Sequence, residues 1–327
     1  MSRLTDNIAA FLESNGFEPS HQIRHDFDVL VTKTSDGRHT RVILPLEISA
    51  GTIEEAEAES EKAEDAIRMI AREAGYPLII TEDRWRRQRE MMEARLLAHL
   101  EVFSQAYARN CEVRRIEKAE AQEFLGRYHS YGYAACKYRY GLFLKRHTGH
   151  IAAEMGFPIG SGMTDGKTGV PDGKVGRTSS PVILNEVKNL SEGLLIAVAT
   201  FSNARKWIKD GKEIRSYEWT RYASLPDLRV SGGMGKMLKA FIKEVQPDDI
   251  MSYADLEWSE GEVYQRLGFK AESWKEAVDF AVDGRTWERT PIRSEVTGEG
   301  VIAGATGNLF FRNFGSRKFR LKLTDYR

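Results

Sequence analysis

Ser252-Tyr-Ala-Asp-Leu-Glu-Trp-Ser-Glu-Gly-Glu-Val-Tyr-Gln-Arg-Leu-Gly-Phe269 decides how the second half of this chain folds. Its start reads as the end of a strand carrying polar groups, and its middle as one short helix. Leu267-Gly-Phe269 reads as a stop, with Gly268 ending the helix and Phe269 entering the core. Upstream, Arg229-Val-Ser-Gly-Gly-Met-Gly-Lys236 is a glycine-rich turn that opens the amphipathic helix Met237-Leu-Lys-Ala-Phe-Ile-Lys243. The order is therefore glycine turn, helix, strand, short helix.

The bulk properties frame that reading. At 327 residues the chain is long enough for two domains or one large one, and 41% hydrophobic with 29% charged residues is ordinary for a globular protein. A formal net charge of +0 gives no global pull towards nucleic acid or an acidic membrane, although a local basic face remains compatible with it. No apolar run approaches the roughly 18 residues of a bilayer span, and Met1-Ser-Arg-Leu-Thr-Asp lacks a signal-peptide pattern, so no membrane contact and a cytoplasmic location are expected. Cys111 and Cys136 have neither metal-ligand spacing nor the look of a disulfide framework.

Residues 1–105 form an α/β block. Asn7 to Asn15 reads as a helix, and Phe27–Val31 and Arg41–Ile48 as strands around a Ser-Asp-Gly-Arg turn. Ile53 to Ala74 reads as an acidic helix closed by Gly75, Tyr76–Thr81 as a buried strand, and Arg84 to Leu100 as a second long helix. Arg84, Arg86, Arg87, Arg89 and Arg95 are spread around that helix and read as solvent-exposed, within reach of phosphates. Next come a strand over Asn110–Ile116, a helix over Ala119–Tyr128, and antiparallel strands over Tyr138–Leu144 and Leu194–Phe201. An insertion at about residues 147–193 separates the last two, far beyond a hairpin loop, and its Gly- and Pro-dense interior is expected to be mobile. Its Ser180–Gly193 stretch reads either as a short extra helix or as a peptide from an in-frame dispersed repeat. Residues 106–285 form the second block, with a polar tail at 286–327 in which Leu309–Phe311 and Lys318–Leu323 have no assigned place.

The free N–H groups at a helix N-terminus bind anions, and glycines let the backbone approach closely. Gly232, Gly233 and Gly235, flanked by Arg229, Ser231 and Lys236, fit that role. Ser252 and Asp255 sit where a strand hands over to a helix, a usual place for functional groups and equally for a cap. Glu218 and Arg221, three apart on a strand, point to opposite faces; either a substrate contact or a cross-strand ion pair explains them. His129 in Arg127-Tyr-His-Ser130 is a capping group or a pocket residue.

Residues of roughly 107–145 and 194–270 resemble the GNAT acyltransferases, and more narrowly the phage Mom-type DNA-modification proteins and the related C-terminal domain of phage homing endonucleases. The glycine pattern departs from the family's, because Met234 stands where a small residue belongs when counting from Arg229. The resemblance implies a mixed, mostly antiparallel sheet flanked by helices, and acetyl-CoA or a related acyl-CoA held at the glycine turn. It further implies Tyr264 as the acid that meets the departing thiolate, with Asp255, His129, Arg221 and Glu218 around the acceptor. Asp26–Val31 followed by Leu46-Glu-Ile-Ser49, and later Glu82-Asp-Arg-Trp85, resemble a PD-(D/E)xK, very-short-patch-repair-like nuclease core. Ser49 occupies the lysine position, so the block is expected to be degenerate, with Asp28 and Glu47 the weak metal candidates. The combined expectation is an α/β protein that transfers a group to an amine, with a DNA base (adenine) as acceptor and DNA as partner. The alternatives are a non-catalytic DNA-binding remnant of a homing endonuclease and a small-molecule N-acetyltransferase.

Overall fold

The computed structural model describes residues 3–145, 193–292 and 308–325, so almost all of the expected insertion lies outside the described residues. The chain starts with α1 (Arg3–Ser14), β1 (Ser20–Arg24), β2 (Phe27–Lys33), β3 (Thr40–Leu46), α2 (Ile53–Ala74), β4 (Leu78–Thr81), α3 (Glu82–Arg87) and α4 (Arg89–His99). Strands β1, β2 and β3 pair antiparallel, and β4 joins β3 in parallel across the α2 crossover. Side-chain alternation gives the sheet two apolar faces. Leu30, Ile43 and Ile80 pack with Ile8, Leu12, Met92 and Leu96, whereas Val29, Leu44 and Ile79 pack with Ala63, Ile67 and Ile70 of α2. Helix α2 has the expected limits, starting where the Glu55 amide donates to Thr52 Oγ1 and stopping at Gly75 with φ 83°.

One expectation fails in this block. The long helix from Arg84 to Leu100 is two helices, broken at Gln88 with φ −117° and ψ 41°. The amides of Gln88 and Met92 still bond to the carbonyls of Arg84 and Gln88, so the apolar spacing continues through the break and gives no sign of it.

The next elements are β5 (Ser104–Tyr107), β6 (Cys111–Arg115), α5 (Lys118–Tyr128), β7 (Tyr138–Leu144), β8 (Leu194–Phe201), β9 (Arg205–Lys209), β10 (Lys212–Ser224), β11 (Leu228–Ser231) and α6 (Gly233–Val245). They are followed by β12 (Asp249–Asp255), α7 (Glu262–Arg266), β13 (Lys270–Lys275), β14 (Asp279–Asp283), β15 (Arg289–Pro291), β16 (Asn308–Arg312) and β17 (Ser316–Lys322). The fold is mixed α/β, with several sheets flanked by helices.

Two compact units emerge: Met1–Phe103, Ser202–Thr220 and Pro247–Arg327 in the first; Ser104–Phe201 and Arg221–Gln246 in the second. In the first, β10 runs parallel to β12, and the unassigned tail supplies β17, which inserts antiparallel between β12 and β13. Leu309–Phe311 lies in β16, which pairs with β14. In the second, β7 and β8 form the expected antiparallel pair, β6 adds antiparallel to β7, and β5 pairs in parallel with β11. There α6 buries Met237, Leu238 and Phe241, and the Phe241 ring stacks on Phe201 with centroids 3.9 Å apart. Among the described residues no helix is long and apolar enough to cross a membrane.

Gly261 is a tight joint of the first unit. Its φ is 83°, and a Cβ there would meet Phe319 Cε2 at 2.4 Å and Ala254 Cβ at 2.9 Å. Gly126, inside α5, has nothing within 4 Å of that position. Gly261→Ala is expected to lower stability by about 2–4 kcal/mol in urea denaturation, through backbone strain and overpacking together. Gly126→Ala is expected to raise it by about 0.5–1 kcal/mol.

Candidate active site

Strands β10 and β12 part company early. They pair only through Ser216, Tyr217 and Glu218 against Asp249, Ile250 and Met251, although β10 continues to Ser224 and β12 to Asp255. At the point of parting, a side chain takes over from the ladder: Ser252 Oγ lies 3.0 Å from the Trp219 carbonyl and 2.9 Å from the Tyr264 hydroxyl. Serine has one proton and a carbonyl can only accept, so the pairing that satisfies all three has Tyr264 donating to Ser252 and Ser252 donating to Trp219. Ser252 is 1% exposed. The Tyr264 ring is fixed by stacking on Phe319 at 5.3 Å and by edge contacts with Phe269 at 5.6 Å and Trp219 at 6.3 Å. Phe269 is buried, as the Leu-Gly-Phe stop implied.

Glu218 lies at the same junction. Its backbone is held by Ser202, which accepts from the Glu218 amide at 2.9 Å and whose own amide donates to the Glu218 carbonyl at 2.9 Å. Its carboxylate makes no hydrogen bond or ion pair with the described residues. Asp255, at the end of β12, accepts from the Glu257 amide at 2.9 Å and lies 3.8 Å from the Arg84 guanidinium. Asp255 thus both shapes a turn and borders a buried charge cluster.

The second unit holds the glycine turn. Gly232 is the left-handed N-cap of α6 with φ 77°, without a side-chain cap, and the first turn carries no acid. The first amides of α6 thus have the polarity that suits an anion. A Cβ on Gly233 would meet Val230 Cγ1 at 3.0 Å and Leu142 Cδ2 at 3.3 Å, so the turn is packed as well as bare. The Lys236 ammonium donates to the carbonyls of Ala108 at 2.8 Å and Cys111 at 2.6 Å, bracing a neighbouring turn. Ser231 accepts from Gln105 at 2.9 Å, and Arg229 is exposed on β11. His129 closes α5 and accepts from the Tyr131 amide at 3.1 Å, while Arg221 Nε donates to the Gly132 carbonyl at 3.1 Å. The structure therefore gathers His129, Gly132 and Arg221 around one turn, and Glu218, Ser252 and Tyr264 around the strand junction.

The nuclease-like residues line a cavity of about 320 Å³ that includes Asp28, Glu47, Ser49, Lys62 and Phe311. Asp28 pairs with His21 at 2.5 Å, Glu47 accepts from the Leu4 amide at 3.1 Å at the start of α1, and Ser49 donates to Glu59 at 3.0 Å. No group of three or more His, Cys, Asp or Glu among the described residues is arranged to hold a metal. At the resembling positions Asp28, Glu47 and Ser49 are each engaged by protein partners.

A charge cluster invisible to pattern reading sits where α3 meets the turn after β12. Glu257, 2% exposed, accepts from Arg84 at 2.9 Å and Arg289 at 2.7 Å. Arg289 also binds Asp83 and donates to Thr81 at 2.9 Å. Arg95 donates to the Ile79 carbonyl at 2.6 Å and the Trp258 carbonyl at 3.0 Å, and its guanidinium lies 4.3 Å from the Trp258 ring centre. Arg84 and Arg95 were expected in solvent; they are 7% and 9% exposed. Glu257 and Trp258, with which they share the cluster, lie more than 150 residues away in sequence, so no local pattern marks them.

No protein-family model matches the chain and no curated protein matches it. Among solved structures, one match is a mutant AtaT toxin bound to the C-terminus of the antitoxin AtaR and acetyl-CoA. The similarity covers 62% of this chain and 93% of that one, at 12% identity and a TM-score of 0.24, too loose to carry an argument.

Burial pushes the Glu257 carboxyl up, but the Arg289 and Arg84 guanidinium groups outweigh it and hold it at about 2. A depressed carboxyl contributes stability above its unfolded value of about 4.3, and that contribution is lost as pH falls towards about 2. Glu257→Gln is therefore expected to cost about 3–5 kcal/mol near neutrality by leaving two buried cations short of charge. It should also flatten the loss of melting temperature between about pH 4.3 and pH 2.

Proposed function

We propose that this chain is a GNAT-type transferase that moves an acyl group from a CoA thioester to an amine. The observation that carries the reading is the parting of β10 and β12 at Glu218, with Tyr264 hydrogen-bonded through Ser252 to the Trp219 carbonyl. Strands that separate leave backbone groups without ladder partners, and such groups can hold an extended thioester and steady the charge that develops on its carbonyl oxygen. Within the second unit, the uncapped, acid-free N-terminus of α6 has the polarity of an anion site.

The chemistry balances with the residues at hand. The amine nitrogen attacks the thioester carbonyl carbon, forming a C–N bond. The C–S bond then breaks, and the thiolate takes the Tyr264 proton. The carboxylate of Glu218 accepts the proton lost by the amine and passes it to solvent, and the half-buried Tyr264 phenolate takes a proton back from solvent. Ser252 is a positioning residue: it aims the phenol.

The finer reading makes the acceptor the exocyclic amine of adenine in DNA. It is supported by the likeness of Ser252-Tyr-Ala-Asp255 and Arg127-Tyr-His129 to Mom-type proteins, and it requires the base to leave the duplex. In that reading residues 106–285 are the transferase and residues 1–105 a nuclease-like remnant.

Thiol release from acetyl-CoA in the presence of an amine panel tests the reaction. Tyr264→Phe is expected to lower kcat about 100-fold or more with little change in KM, and Ser252→Ala to lower it less while shifting the alkaline limb of the pH profile. Unchanged turnover in Tyr264→Phe removes that residue from the mechanism. For the acceptor, mass spectrometry of nucleosides from DNA exposed to the protein and donor should show an adenine adduct. Unmodified DNA alongside active thiol release confines the acceptor to small amines.

A further inference from the structure

The hairpin of β9 and β10 carries a surface that the transfer reaction does not use. Residues 205–215 contain five cations, Arg205, Lys206, Lys209, Lys212 and Arg215, against two acids, Asp210 and Glu213, in a chain whose formal charge is +0. Register sorts them by face. Arg205 lies opposite Ser216, Trp207 opposite Ile214, and Lys209 opposite Lys212, so one face carries the indole and three cations, with Ile214 and Ser216 buried beneath them. Glu213 lies on the other face, where it pairs with Lys206 at 3.0 Å. Arg205 and Lys209 have no ion pair among the described residues. Asp248, near the hairpin base and in the field of Lys212, is occupied by the Arg215 amide at 2.8 Å and the Thr324 hydroxyl at 3.0 Å.

The indole is held ready. Trp207 is 37% exposed, yet its Nε1 donates to Ser216 Oγ at 2.8 Å, and Ser216 in turn donates to the buried Asp249 at 2.6 Å. Ile208 beside it is 67% exposed. Strand β9 pairs only with β10 among the described residues, so it is an edge. Lysines alone would serve to keep an edge strand from pairing with another chain; an exposed Trp-Ile pair does the opposite. A fixed aromatic ring flanked by cations at strand spacing is what a stacked base and its neighbouring phosphates require.

We propose that this hairpin is a docking surface for single-stranded nucleic acid, with a base stacked on Trp207 and phosphates paired with Arg205, Lys209 and Lys212. The proposal rests on the hairpin itself and stands independently of the transfer reaction.

Fluorescence anisotropy of a labelled oligothymidylate, and of its oligouridylate counterpart, titrated with the full chain tests it. Three phosphate contacts predict a slope of log affinity against log salt of about −2. Trp207→Ala is expected to weaken binding about tenfold, while Trp207→Phe retains most of it, because stacking needs only an aromatic face. Arg205→Glu with Lys209→Glu is expected to abolish binding with little change in the melting temperature, since Arg205 is exposed, Lys209 half-buried, and neither makes an ion pair among the described residues; this pair decides the matter if Trp207→Ala misfolds. Tyr264→Phe should bind like the parent, which separates this test from that of the transfer reading. The proposal is overturned by no binding at low salt, by binding indifferent to the hairpin substitutions, or by a preference for anionic phospholipid vesicles over either oligonucleotide.

Discussion

Glu257 lies two residues beyond the end of β12, almost fully buried, between the guanidinium groups of Arg84 and Arg289. An unpaired carboxylate could not occupy that position, and neither could two unpaired arginines. The cluster therefore sets the course of the chain around it. It joins α3, the turn after β12 and β15, and the Tyr76 hydroxyl adds a bond to the Leu256 carbonyl at 2.6 Å. Arg95 reaches the next carbonyls of the same turn. Residues of the N-terminal block thus hold the end of the strand that carries Ser252 and Asp255.

From that anchored turn the geometry passes to the candidate chemistry within a dozen residues. Gly261 allows α7 to start against Phe319 and Ala254, and α7 delivers the Tyr264 ring onto Phe319. The phenol then meets Ser252, whose hydroxyl occupies the place on Trp219 that another ladder bond would have filled. A buried ion cluster, a glycine and one serine together decide where two strands stop pairing. Whatever chemistry the separated strands perform, its precision depends on this chain of contacts.

How far the sequence reveals this follows from the range of each interaction. Helix α2 and strands β7 and β8 have the limits read from periodicity and caps, because their signals are local. Gly268, with φ 90°, and buried Phe269 are legible for the same reason. The break at Gln88 is not, because the hydrogen bonds and apolar spacing on either side stay in phase. Strand β17 has an ordinary strand sequence, but its place between β12 and β13 is a long-range choice that no nearby residue records. Arg84 and Arg289 look like surface arginines until their shared partner is known. Tyr264 and Ser252 were singled out by position in a motif; that they bond to one another is visible only in three dimensions. Lys236 reads from the sequence as a charge beside the glycine turn, yet the Ala108 and Cys111 carbonyls accept from it.

The central claim is that a CoA thioester gives its acyl group to an amine on this chain. The direct measurement incubates the full-length protein with acetyl-CoA carrying an isotopic label in the acetyl group, together with an amine acceptor, and follows product mass and free thiol together. The account predicts labelled amide in equal amount to released thiol, with both lost in parallel when Tyr264 lacks its hydroxyl. Thiol release without an amide, or no calorimetric binding of acetyl-CoA by the folded protein, would contradict it.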